Sequence, residues 1–392
     1  MSLDLLTGPD AGELLAAAVA SAGGSLLDWV PQQVDHRPGR GTTVAYRAQV
    51  SWPGGVRTET LGASSREDDG PPPPSPGLIA LSDGTTQVGV WCLPYDPDLP
   101  ALARALDPGE LLASLGVAGR SVSTAVVSYR PRRRAVVRVD AGAVRLYLKV
   151  LARGADVEPL HRRHVLLHEA GVPVPRSLGW SDDGLLALEG LPGTGLRAVL
   201  RADGEIPSGA AVLEVLSRFP AAVADLPRRT PWAELAPRYA ASIAAVLPEE
   251  GLRVVDLAGS VSAGLHGCAP GSEPTHGDLY EGQLTVAGGR VVGLLDVDTA
   301  GPGRRVDDLS NALGHLEALA LADPPSAERA RATARAWEVA FGAAGDRDEL
   351  RLRTAGVLIG LATGPHRTQA ADWPAATVAH LDAVEALLSP RV

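Results

Sequence analysis

Asp278 and Asp296 are the two carboxylates of this 392-residue chain whose surroundings give them the means to act together. Asp278 lies in His276-Gly277-Asp278-Leu279-Tyr280-Glu281-Gly282-Gln283, and Asp296 in Leu294-Leu295-Asp296-Val297-Asp298. Between them run Leu284-Thr285-Val286, a Gly-rich stretch Ala287-Gly288-Gly289-Arg290, and Val291-Val292-Gly293-Leu294-Leu295. Apolar run, glycine turn, apolar run is the pattern of a β-hairpin. A turn centred between Gly289 and Arg290 sets residue i opposite residue 579 − i. Gln283 is then expected to face Asp296, at the roughly 5 Å spacing of cross-strand neighbours. Asp278 precedes the hairpin in a loop. Three oxygen-bearing side chains converging on one point suit a hard divalent cation such as Mg2+ with a base beside it.

The elements that must position these residues fall into three regions. Residues 1–110 read as a small α+β unit, with a helix near Gly12–Ala22, strand-like runs at Thr42–Val50 and Val88–Leu93, and an acidic, proline-rich exposed loop at 63–77. Residues 111–192 read as a helix, three strands (Ala125–Tyr129, Ala135–Val139, Val144–Val150), a helix from about Val157 to Ala170 and a strand at Leu185–Glu189. Residues 193–392 are mostly helical apart from the hairpin. Strands first and helices second, with the chemistry near the boundary, predicts a two-lobed α+β architecture. A weak internal repeat joins the first two regions: Val34-Asp35-His36-Arg37-Pro38-Gly39-Arg40 recurs as Val127-Ser128-Tyr129-Arg130-Pro131-Arg132-Arg133. Chance similarity is an equal reading for so short a match.

The segment from His276 to Asp298 resembles the H-G-D-x-x-x-x-N catalytic loop and following metal-binding Asp of the aminoglycoside phosphotransferase and choline kinase-like family. Its H-G-D-x-x-x-G-Q form is similar to that of maltokinase-like and glucosamine-kinase-like members. The resemblance implies a bilobal protein-kinase-like fold, with a β-rich nucleotide lobe at 111–192, a helical lobe at 193–392 and an extra N-terminal α+β cap at 1–110. It implies Asp278 as the base that takes the acceptor hydroxyl's proton, and Gln283 and Asp296 as metal ligands, Asp296 bridging to the nucleotide phosphates. Gln283 stands where the family usually has Asn.

Of 36 basic residues one is lysine, Lys149, in the strand-like run Val144–Val150. Such a kinase holds the α/β-phosphates with a lysine on the third strand of its nucleotide lobe, so the resemblance assigns that role to Lys149. It also implies a glutamate partner on the next helix, for which Glu158 is nearest in place. Leu186–Gly193 resembles the lobe connection whose backbone reads the adenine edge, with Glu189 and Leu191 as its contacts. His276 is expected to brace the loop. Asp298 reads as a further metal contact or a turn cap, and Asp308, in Val306-Asp307-Asp308-Leu309-Ser310, as a capping residue that supports the catalytic loop.

Other motifs carry less. His161, His164 and His168 share one helical face, but without H-E-x-x-H they read as a polar face rather than a zinc site. Pro131-Arg132-Arg133-Arg134 lies where a phosphate cover would sit, yet reads foremost as a solvated hairpin tip. No G-x-x-x-x-G-K precedes the lone lysine, which excludes a P-loop NTPase. The net charge of −10 and the absence of a basic tract argue against nucleic-acid binding. Cys92 and Cys268 have no metal or redox spacing, the start lacks a signal-peptide pattern and no apolar run would span a bilayer; a cytoplasmic protein is expected. The sequence therefore predicts an ATP- and Mg2+-dependent phosphotransferase acting on a hydroxyl of a sugar, aminosugar or aminoglycoside. The alternative is an inactive kinase-like nucleotide-binding module that works by interaction. Gln283 in place of Asn and the extra N-terminal unit would fit that alternative, and intact Asp278, Asp296 and Lys149 speak against it.

Overall fold

A computed structural model describes residues 2–37, 41–66, 77–82, 86–117 and 121–389. The chain forms two compact units, one of Met1–His161, Ser177–Gly190 and Arg367–Gln369, the other of Arg162–Arg176, Leu191–His366 and Ala370–Val392.

The first unit is built on two five-stranded antiparallel sheets. One contains β1 (Ser25–Arg37), β2 (Gly41–Trp52), β3 (Gly55–Arg66), β4 (Leu78–Ser82) and β5 (Gln87–Cys92), in the order β1-β2-β3-β5-β4. The other contains β6 (Val122–Arg130), β7 (Arg134–Ala141), β8 (Val144–Leu151), β9 (Ser177–Ser181) and β10 (Leu185–Glu189), in the order β6-β7-β8-β10-β9. The two orders are the same permutation, so the peptide match at Val34 and Val127 has a counterpart in sheet topology. Residues 38–40 of that match lie outside the described residues. Lys149 lies on β8, the third strand of the second sheet; on β3, the third strand of the first, Leu61 is buried and pairs with Tyr46 and Cys92.

Periodicity explains which face each sheet buries. Along β7 the residues alternate half-buried and buried, with Ala135, Val137, Val139 and Ala141 inward. They pack with Leu99, Leu102, Ala105 and Leu112 of the segment that includes helices Leu102–Leu106 and Gly109–Ser114. The first sheet packs Val44, Tyr46, Val50 and Leu61 with Leu6, Leu15 and Val19 of helices Ser2–Thr7 and Asp10–Ser21. The Tyr46 hydroxyl, buried there, donates to the Leu6 carbonyl at 2.6 Å.

Two loop expectations change. Residues 63–66 of the acidic, proline-rich stretch continue β3, paired to β2 and in part to β5; residues 67–76 lie outside the described residues. The β6–β7 tip is only partly solvated: Arg133 is exposed, while Pro131 is buried and Arg132 is held. Arg132, at φ 61°, donates its backbone N–H to Asp96 and its Nε to Asp98, each at 2.8 Å. Tyr129 also donates to Asp96 and itself accepts from the Trp91 indole, both at 2.8 Å. Burial pushes the Asp96 carboxyl up, while the amides of Arg132 and Asp98 and the Tyr129 hydroxyl pull it down. This polar chain ties the two sheets together.

The helix Glu158–Glu169 carries the three histidines at different depths. His164 is buried, with Nδ1 bonded to the Pro175 carbonyl at 2.9 Å; His161 bonds the Ser177 hydroxyl at 2.8 Å; His168 is exposed. His161 and His164 thus anchor the segment after the helix, and only His168 faces solvent.

The second unit is mainly helical, including Ala236–Val246, Gly251–Gly264, Arg305–Ala322, Ala327–Ala343, Arg347–Leu361 and Trp373–Leu388. Its small sheet sets Thr194–Gly195 against the hairpin strands Leu284–Ala287 and Arg290–Leu294. Leu284, Val286 and Leu294 sink into a core with Leu196, Leu216, Leu309, Leu313 and Trp337. Among the described residues no helix is long and apolar enough to cross a membrane.

Candidate active site

The loop that carries Asp278 leaves the short strand Glu273–Thr275, which pairs with Gly301–Gly303. It ends in a single 3-10 turn, Glu281–Gln283, before the first hairpin strand. The register is tighter than expected: Leu284 pairs with Leu294 and Thr285 with Gly293, and after a bulge Val286 pairs with Val291 and Ala287 with Arg290. The turn thus closes between Gly288 and Gly289, both at positive φ, and the bulge takes up one residue of the second strand. Gln283 still comes opposite the end of that strand, because its carbonyl accepts the Leu295 N–H at 2.8 Å. Its Nε2 then lies 3.4 Å from Asp296 Oδ2.

The backbone around Asp278 is held from three sides. Asp308, fully buried, accepts the N–H of His276 at 2.9 Å and of Gly277 at 2.7 Å. Burial pushes its carboxyl up; His276, Arg305 and those two amides pull it down. His276 Nδ1 accepts the Asp278 N–H at 3.2 Å, so its proton sits on Nε2, which donates to the Leu295 carbonyl at 2.9 Å. Gly277 has φ 81°, and a Cβ there would lie 2.5 Å from the Thr299 carbonyl oxygen, so only glycine lets the chain pass.

Asp278 Oδ1 accepts from Trp232 Nε1 at 3.1 Å and lies 3.4 Å from Asn311 Nδ2. Asp296 sits in the left-handed region at φ 53°, ψ 52°, which an L-residue keeps only where its neighbours hold it, at a cost of about 1–3 kcal/mol. Tyr280, between the two carboxylates in sequence, has its phenol pushed up to about 12, by burial first and then by the charges of Asp278, Glu281 and Asp296. Mg2+ takes one or two protein oxygens together with phosphate oxygens and water. An Asp carboxylate beside a Gln amide is a donor set of that kind.

The remaining expected residues are distributed as follows. Lys149 is 5% exposed on β8, paired with Val136 on β7 and Leu186 on β10. Glu158 opens its helix, and Glu189 ends β10 opposite Leu146 with its side chain exposed. Leu191 belongs to the second unit, where its side chain covers Gly293 of the hairpin. Asp298 lies in the 3-10 turn Val297–Thr299, and its carbonyl accepts from Arg163.

Residues 119–353, more than half of the chain, match the model of the phosphotransferase enzyme family. The chain belongs to that family. A thermostable mutant of an aminoglycoside phosphotransferase, solved as a ternary complex with ADP and hygromycin B, is 17% identical at a TM-score of 0.50, over 72% of this chain and 98% of its own. A choline/ethanolamine kinase family protein from Mesorhizobium loti is 19% identical at a TM-score of 0.50, over 74% of this chain and 94% of its own. No curated protein matches the chain. The fold is protein-kinase-like, with an additional N-terminal sheet unit, and the chain is a kinase with an alcohol group as acceptor.

In this phosphotransferase the loop has further residues that sequence reasoning passed over. Glu281 is buried and accepts from Arg197 Nη2 at 2.6 Å. Burial pushes its carboxyl up and Arg197 pulls it down. Asn311 had a signal in the sequence, since it lies three residues after Asp308 and therefore on the same helix face. Trp232 had none: it comes from a segment 46 residues before Asp278.

Proposed function

We propose that this phosphotransferase moves the γ-phosphate of ATP, with Mg2+, to a hydroxyl of a small polar acceptor of the sugar, aminosugar or aminoglycoside kind. The observation that carries the reading is the meeting of Gln283 and Asp296 at 3.4 Å, on the hairpin that follows the Asp278 loop. Asp296 and Gln283 hold the metal, which supplies charge neutralisation on the phosphates when bound. Asp278 orients the acceptor hydroxyl and takes its proton, while Lys149, paired with Glu158, holds the nucleotide's α/β-phosphates. The backbone at Glu189 and Leu191 reads the adenine edge. His276 and Asp308 keep the loop in shape, and Asp298 supports Asp296 from the next turn. Positioning and charge neutralisation supply most of the catalysis in such transfers. The similar fold solved with ADP and hygromycin B is in line with a nucleotide and a sugar-bearing acceptor. Residues 1–110, 111–192 and 193–392 then serve as accessory, nucleotide and acceptor regions of a cytoplasmic enzyme.

The test is ADP release from Mg·ATP against glucose, maltose, glucosamine, kanamycin and choline. Sugar-type acceptors are expected to raise turnover well above the rate in water alone. Asp278→Asn is expected to lower kcat by about a hundredfold or more with little change in the KM for ATP, the size of a lost general base. Near-normal turnover in that variant would remove Asp278 from its role.

A further inference from the structure

Trp232 opens the one-turn 3-10 helix Trp232–Leu235. We propose that Trp232, together with Asn311, is a positioning residue for Asp278. Their N–H groups fix Oδ1 and with it the direction in which the carboxylate meets the acceptor hydroxyl. This rests on the reading of Asp278 as the base.

The two donors reach one oxygen, from 3.1 Å and 3.4 Å, and they come from different elements. An indole N–H is a donor only and does not titrate near neutral pH, so it holds a carboxylate without competing for the proton. Asn311 is 2% exposed and lies on the helix Arg305–Ala322, one turn beyond Asp308. That helix therefore sets the loop backbone through Asp308 and the base's carboxylate through Asn311.

The indole is also clamped. Its ring stacks on Tyr239 with centroids 5.4 Å apart and planes at 26°, and meets His315 edge-on at 6.0 Å and 82°. Tyr280, two residues from Asp278, stacks in turn on His315 at 4.1 Å. Beneath the indole, the helix Arg347–Leu361 places Gly356 and Gly360 one turn apart. A Cβ on Gly360 would lie 2.7 Å from Trp232 Cε3, and one on Gly356 2.8 Å from Ala233 Cα. Interior helical glycines weaken a helix relative to alanine. Here they let the Trp232 turn lie directly on the helix, which fixes where its N–H points.

The test compares Trp232→Phe with the unaltered enzyme in ADP release from Mg·ATP, in a fixed mixture of glucose, maltose, glucosamine and kanamycin, with water always present as an acceptor. Phenylalanine keeps the stacking and deletes the N–H. The expected result is a fall in kcat of about tenfold, the size of one hydrogen bond to a charged group, with the KM for ATP unchanged. In the Asp278→Asn background the same substitution is expected to have no further effect, because a residue acting through Asp278 has nothing left to act on. A kcat within twofold of the unaltered enzyme overturns the proposal, as does a second tenfold loss on top of Asp278→Asn. Asp278→Asn with normal turnover would instead defeat the base reading, whatever Trp232→Phe does. If Trp232→Phe fails to fold, Asn311→Leu deletes the other donor at similar volume and carries the same two expectations.

Discussion

Lys149 is the one ε-amine of the chain, and it is 5% exposed. A buried ammonium persists only where charge or hydrogen bonding compensates it, and Lys149 sits on β8 between β7 and β10; a compact ammonium and a planar guanidinium are not interchangeable at such a place. If it holds nucleotide phosphates, an acyl-phosphate ATP probe should label Lys149 and excess Mg·ATP should block the reaction. Peptide mapping reads this cleanly, since the amino terminus is the sole other primary amine of the sequence as given. Lys149→Arg should lose activity although it keeps the charge. Labelling that persists under saturating Mg·ATP, or full activity in the arginine variant, would move the nucleotide site elsewhere.

The helix Arg305–Ala322 supports the loop from a start that is itself cross-braced. Asp307 accepts the Arg304 N–H at 3.1 Å and Arg353 Nη1 at 2.6 Å. Glu349 receives Arg353 Nε at 2.8 Å and Arg304 Nη2 at 2.6 Å. Arg353 is 1% exposed. Burial pushes Asp307 up to about 6 against the pull of Arg353. Its folded-state value lies above the unfolded one of about 3.9, so its contribution to stability is present below that value and is lost as pH rises through about 6. Removing the counter-ion sharpens the effect. Arg353→Met should cost about 3–5 kcal/mol at pH 8, the price of an uncompensated buried charge, and less at pH 5, where Asp307 can take a proton. Urea denaturation at the two pH values measures the gap, and a gap that does not narrow on acidification would contradict it.

At the scale of the molecule, the first unit places two sheets of the same strand order side by side in the chain, one with the lysine and one without. The join is polar and buried: the Tyr129 hydroxyl stands between the Trp91 indole and the Asp96 carboxylate. Tyr129→Phe leaves both of those groups short of a partner and should destabilise the unit by about 1–3 kcal/mol. In the unaltered protein the two sheets should unfold in one transition, followed by tryptophan fluorescence and by circular dichroism. A separate early transition for the first sheet would show that the hydroxyl bridge does not couple them.

How much of this was legible in the sequence follows from where the deciding forces act. The strand Leu185–Glu189, the alternation of β7 and the helix after Val157 declare themselves locally, because burial writes its period into the residue types. Strands β1, β3, β4 and β9 did not: β1, β4 and β9 are sheet edges, where pattern is weakest, and β3 is an interior strand that runs into the stretch read as an exposed loop. β1 even holds Pro31, which an edge strand tolerates because one side of its backbone needs no ladder partner. At the site, the sequence by itself determined the chemistry of the loop: Asp278, Gln283 and Asp296 at their spacing, and glycine at 277. Tertiary structure alone decided what surrounds Asp278. Trp232 arrives from a segment whose distance along the chain carries no period, Asn311 is marked only by its place one turn after Asp308, and the glycines that seat the indole serve a neighbour across a helix face rather than their own helix. Contacts made through space between distant segments leave no mark in local spacing, so the loop motif is readable from sequence and the indole that meets Asp278 from 46 residues away is not.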